Sequence, residues 1–135
     1  MKVIKMKWIT RDRVRRNKDK AFLFGDNIMQ RGFGGQTKEM RDEPNTFGIP
    51  TKWIPSRNYN AYFRDIEFEL TKKAIDLALD KVRKSGFQIV IIPADGIGTG
   101  LARLDKLAPK TFEYLQQELE KLNDQEKTTE KRSSP

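Results

Sequence analysis

Three short segments hold the residue types that could do chemistry in this chain: Gly25 to Gly35, Pro50 to Trp53, and Ala94 to Gly100. The first carries Asp26, Asn27, Gly32, Gly34 and Gly35; the third carries Asp95, Gly96, Gly98, Thr99 and Gly100. Glycine admits positive φ and lets backbone N–H groups approach an anion closely, so both segments suit the wrapping of a diphosphate. Neither follows a familiar nucleotide motif. Gly96-Ile97-Gly98-Thr99-Gly100 lacks the dinucleotide spacing, and Gly32 to Gly35 has no Lys-Ser/Thr pair to complete a phosphate loop. Either loop alone reads first as a tight turn; two at neighbouring strand ends favour a ligand. Asn27 is suited to a ribose hydroxyl or to closing its own turn. Lys52, set between Pro50-Thr51 and Trp53-Ile54-Pro55, reads as a lysine of lowered pKa that attacks or holds phosphate, or as a snorkelling surface lysine.

The chain has no Cys and no His, which excludes disulfides, thiolate metal sites, a Cys nucleophile and the usual general base. Catalysis is left to Lys, Asp, Glu, Tyr, Ser or Thr. No metal and no cofactor is expected.

The elements that would position these loops follow from hydrophobic spacing. Val3 to Thr10 alternates, with Ile4, Met6 and Trp8 on one face, and reads as a half-exposed strand. Ala21 to Phe24 reads as a buried strand, Gln36 to Arg41 as a helical stretch ended by Pro44, and Thr46 to Ile54 as a further strand. From Tyr62 to Lys84, Ile66, Leu70, Ala74, Leu77, Ala78 and Val82 recur at three- and four-residue spacing, the pattern of an amphipathic helix with those residues inward. Gly86 stops it. Ile89-Val90-Ile91-Ile92 is the signature of a central strand covered on both faces. Phe112, Leu115, Leu119 and Leu122 mark a last helix, with Pro109 in its first turn.

A strand-helix-strand unit makes its two strands parallel. The expected fold is therefore α/β, a mixed β-sheet flanked by helices in a single domain over residues 1–122, followed by a disordered polar tail over residues 123–135. In such sheets ligands bind at the carboxyl ends of the strands. All three loops belong there.

The 135 residues are 36% hydrophobic and 34% charged, enough apolar material for one domain. The net charge is +8, and nine Lys and Arg against two Asp within residues 1–20 account for +7 of it. The remaining 115 residues carry +1. A basic segment on a near-neutral body suggests local contact with nucleic acid through Lys2 to Lys20, or serves solubility alone. The longest apolar run, Ile89 to Pro93, is far short of a spanning helix, so no membrane association and a cytoplasmic location are expected.

Taken together, GDNIMQRGFGGQTKEM (Gly25 to Met40), FGIPTKW (Phe47 to Trp53) and VIIPADGIGTGLARL (Val90 to Leu104) resemble macro domains. The likeness is greatest to the subgroup that removes terminal ADP-ribose from proteins and DNA, and it extends to short phage-encoded proteins. It covers roughly residues 20–120 and implies a macro-like fold that binds ADP-ribose or a related nucleotide. By position, Asn27 falls where the family contacts the distal ribose, Gly32 to Gly35 on its first phosphate loop, and Ile97 to Leu101, including Leu101 itself, on its second. Lys52 falls on the subgroup's attacking lysine. The acid that follows the Gly-Leu of the second loop is replaced by Ala102, which leaves Asp105 or Asp95 as substitutes and puts glycohydrolase activity second to binding. Asp12 is the candidate for the adenine contact. Two other functions fit the residues: a nucleic-acid-binding protein that uses the basic segment, and a phage-type protein that sequesters a nucleotide or inhibits an enzyme without chemistry.

Overall fold

The computed structural model describes residues 1–133, with side chains through Asn123. The polar tail expected over residues 123–135 therefore lies almost wholly outside the described side chains.

Four strands, β1 (Lys2–Met6), β2 (Ala21–Asn27), β3 (Thr46–Lys52) and β4 (Ile89–Pro93), form one sheet in the order β1-β4-β2-β3. All three pairings are parallel, so the α/β class stands and the expected mixed sheet is instead parallel throughout. The reason is connectivity: every link between successive strands contains a helix and returns the chain to the same end of the sheet. These helices are α1 (Arg11–Arg16), α2 (Thr37–Met40) and α3 (Phe68–Lys84); α4 (Leu104–Leu107) and α5 (Pro109–Ser133) follow β4.

Side chains alternate across the strands and fill two cores. On one face Ala21, Leu23, Ile49, Val90 and Ile92 pack with Ile75, Leu79 and Val82 of α3 and Leu115, Leu119 and Leu122 of α5. On the other, Phe22, Phe24 and Ile91 pack with Ile9, with Val14 of α1 and with Met40 of α2. The uninterrupted apolar run of β4 is thus explained, since it has protein on both sides.

Two helices differ from expectation. The α-helix expected from Tyr62 begins at Phe68, after short 3₁₀ turns at Tyr59–Ala61 and Asp65–Glu67. Trp53 N–H donates to Ala61 O at 2.8 Å and Tyr62 bridges Lys52, which holds this stretch extended. Asp65 is also engaged elsewhere: its carboxylate accepts the N–H groups of Lys110 and Thr111 and so caps α5. The buried face of α3 is Thr71, Ile75, Leu79 and Val82, whereas Ile66, Leu70 and Leu77, expected inward, are exposed.

The basic N-terminal segment is no appendage. β1 runs alongside β4 over five residue pairs, and Ile9 and Val14 are core residues. Much of its charge is paired: Arg11 and Arg15 both reach Glu43, Arg16 pairs with Asp12, and Lys20 with Asp19. Lys2, Lys5, Lys7 and Lys18 are exposed and lie in none of these pairs.

Candidate functional site at the carboxyl edge of the sheet

Because every strand points the same way, the segments after Met6, Asn27, Lys52 and Pro93 share one edge. The three loops singled out from sequence are there, and a fourth, Lys7 to Thr10, joins them. They are tied together. Ala94 N–H donates to Met6 O at 2.9 Å, Gln36 Nε2 to Ile9 O at 2.8 Å, and Ile28 N–H to Lys52 O at 2.9 Å.

The two glycine loops touch through Leu101. Its Cδ1 lies 3.3 Å from where a Cβ on Gly34 would stand and 3.8 Å from that of Gly35. Leu101, itself 60% exposed, fills the line of contact between the loops. Ile97 is buried beneath, its Cγ2 against Gly25. Gly96 and Gly98 both have positive φ, +90° and +95°, two positions apart, which turns successive N–H groups toward a common side. The N–H groups of Ile97 through Ala102 donate to no acceptor among the described residues, and neither do those of Gly32 through Gly35. Unpaired backbone donors of this kind need water or a ligand.

Asp26 is held rather than offered. Arg41, just past α2, donates Nη2 to Asp26 Oδ1 at 2.5 Å and Nη1 to Oδ2 at 3.1 Å, with both side chains buried. The same guanidinium donates Nε to Gly32 O at 2.8 Å and Nη2 to Arg31 O at 3.2 Å. It stands over the rings of Phe24 and Phe33. Arg41 therefore shapes the first glycine loop from within. Asn27 is likewise engaged by its own loop: Nδ2 donates to Arg31 O at 2.8 Å and Oδ1 accepts Arg31 N–H at 3.4 Å. That is the turn-closing role of the two the sequence allows.

Lys52 ends β3 half-buried. Its Nζ donates to Ser56 O at 2.6 Å and lies 4.7 Å from the centre of the Tyr62 ring. Burial, and secondarily the Arg57 charge, push its pKa below the ordinary lysine value. A lysine with this shift is a better nucleophile than a solvated one, because its neutral amine is more accessible. Asp95 is exposed at the start of the second loop, where its carbonyl accepts the Thr99 hydroxyl at 2.8 Å. Asp105 sits on α4, with Oδ1 enclosed and without a hydrogen-bond partner. No ion pair among the described residues joins either acid to Lys52.

Sequence reasoning missed two residues. Arg41 carries no signal beyond a basic residue near Pro44, because its partners are set by the packing of α2 on the sheet. Trp8, read as an inward strand residue, lies beyond the end of β1, is 85% exposed and has φ +56°. Left-handed backbone costs a bulky L-residue about 1–2 kcal/mol. Large exposed apolar side chains gather at this edge: Trp8, Ile28, Met29, Phe33, Tyr59 and Leu101. A separate hollow of about 350 Å³, lined by Asp65 to Leu70 and Lys110, shares no residue with the glycine loops. Among the described residues no acid, His or Cys group is placed to hold a metal ion, and no helix is long and apolar enough to cross a membrane.

Fold and site define a three-layer parallel α/β protein whose candidate site is built from glycine loops rather than from a nucleotide motif of standard spacing. The chain belongs to a family of unknown function, DUF7831, whose model matches residues 4–118. No curated protein and no solved structure matches it.

Proposed function

We propose that this protein is a macro-like module that binds ADP-ribose or a related nucleotide diphosphate at the carboxyl edge of its sheet. One observation carries the reading: two runs of backbone N–H groups without acceptors, Gly32 to Gly35 and Ile97 to Ala102, meet across Leu101. A diphosphate presents acceptors to both runs at once, and backbone donors fixed in advance need little reorganisation. Leu101 shifts aside or covers the bound diphosphate.

Calorimetric titration with ADP-ribose tests this. Gly100 is the position to vary, since nothing lies within 4 Å of its Cβ direction and its φ is not left-handed. Gly98 is unsuitable, because Leu104 stands 3.0 Å away. Gly100→Glu puts a carboxylate among the donors and is expected to abolish binding while the fold stays intact. No heat at millimolar ADP-ribose, or unchanged affinity in Gly100→Glu, defeats the reading.

Hydrolytic release of ADP-ribose from a macromolecule is the extension of this reading, with Lys52 as attacking amine and Asp105, three residues after Ala102, as the substitute acid. Free ADP-ribose formed equally well by Lys52→Ala removes that role. Contact with nucleic acid through the basic segment rests on the exposed Lys2, Lys5, Lys7 and Lys18, and a steep fall of affinity with salt is its signature.

A further inference from the structure

We infer that Trp8 is the base-stacking platform of this edge, so that the ligand is a nucleotide whose base is gripped by its face. This rests on the diphosphate reading of the glycine loops and extends it to the other end of the ligand.

The placement of Trp8 carries the inference. It is one residue from Ile9, which is buried and whose carbonyl accepts Gln36 Nε2 at the end of the first glycine loop. It is two residues from Met6, whose carbonyl accepts Ala94 N–H at the start of the second. The segment that bears the indole is therefore fixed to the stems of both loops. Between these anchors the backbone turns left-handed at φ +56°, and the result is a ring that is 85% exposed. An apolar ring would ordinarily turn inward, as the alternation of Ile4 and Met6 invites, yet the chain keeps it out at an edge of unpaired donors.

The flanking charge fits an anionic ligand. Arg13 Nη1 reaches Lys7 O at 3.4 Å, which places the guanidinium beside the Lys7–Trp8 peptide, and Lys7 is exposed. No carboxylate hydrogen-bonds the Trp8–Ile9 segment among the described residues. An indole face with cations alongside binds any aromatic base by stacking, without reading its edge. The expectation is therefore a site that demands a base but discriminates weakly among bases.

The test compares ADP-ribose with inorganic pyrophosphate, which has no base, on the intact protein. Trp8→Gly is the variant of choice because glycine accepts the left-handed backbone that tryptophan strains, so loss of fold does not obscure the result. Trp8→Gly is expected to weaken ADP-ribose about 5- to 150-fold and to leave pyrophosphate unchanged, with Trp8→Tyr recovering much of the loss. ADP-ribose and UDP-glucose should quench indole emission of the parent more than that of Trp8→Gly, and pyrophosphate should quench neither. Equal weakening of both ligands, or no weakening, overturns the role of Trp8 and leaves the diphosphate site standing. If neither ligand binds the parent protein, both readings fall. Capture of a single-stranded oligonucleotide through Trp8 by a protein indifferent to mononucleotides overturns the inference in favour of a polynucleotide surface.

Discussion

Arg41 and Asp26 form a buried two-pronged ion pair, at 2.5 Å and 3.1 Å, whose guanidinium also grips the carbonyls of Arg31 and Gly32. One side chain thus joins the end of β2, the turn after α2 and the first glycine loop. Fork geometry lets arginine serve a carboxylate and two carbonyls together, which a lysine cannot do.

Removing one partner of such a pair leaves the other charged and buried. Arg41→Ala is expected to cost about 3–5 kcal/mol in urea unfolding, and Arg41→Lys most of that. Amide exchange at Gly32 to Gly35 should quicken in both. A loss below about 1 kcal/mol would show that the pair does not organise the loop.

Gly48 lies under the same carboxylate. A Cβ there would stand 2.6 Å from Asp26 Oδ2, with the carboxylate pinned by Arg41. Gly48→Ala should therefore destabilise by about 1–3 kcal/mol, as overpacking does. Gly100→Ala, with open space around it, serves as the control and should melt like the parent.

Lys52 should titrate early. Its charged form is disfavoured by burial and by Arg57, so the unfolded chain holds the proton to higher pH than the folded one. In the window between the lowered folded value and the ordinary lysine value the unfolded state binds more protons, and stability rises with pH across it. Competitive acylation followed by mass spectrometry reads the midpoint directly. A midpoint at or above that of a free lysine side chain contradicts the burial account.

Deletion of residues 1–10 tests whether the basic segment is detachable. It removes β1 and the core residue Ile9, so β4 becomes an apolar edge strand and cooperative thermal unfolding should vanish. A truncated protein with a parent-like transition would show the segment to be a detachable appendage.

The two faces of α3 separate cleanly by substitution. Leu79→Ala, at a fully buried site, should cost about 2–5 kcal/mol, whereas Leu77→Ala, at a site 68% exposed, should stay within about 0.5 kcal/mol of the parent. Denaturant midpoints for the pair decide the matter.

Much of the scaffold is legible in the residues alone. The β-branched run Ile89 to Ile92 forms a central strand, and Leu115, Leu119 and Leu122 form a buried helical face, because composition and period both reflect burial. The face of α3 is not legible in the same way. Ile66, Leu70 and Leu77 fit a helical stripe as well as Ile75, Leu79 and Val82 do, and both stripes are apolar. Which one turns inward depends on where the 3₁₀ turn and the Asp65 cap place the helix start, and both are contacts to distant segments.

The site divides in the same way. Sequence by itself determined that glycine loops follow strands of an α/β sheet, that a lysine ends β3 among prolines, and that no His or Cys takes part, since these depend on residue type and local order. Only the tertiary structure decided that Asp26 is bound by Arg41, that Asn27 closes its own turn, that Leu101 joins the two loops and that Trp8 faces solvent. The Asp26 and Leu101 contacts join residues far apart in the chain, the exposure of Trp8 follows from a backbone angle, and the Asn27 contact is a local choice between two roles that its residue type allows equally; none leaves a period or a composition to be read.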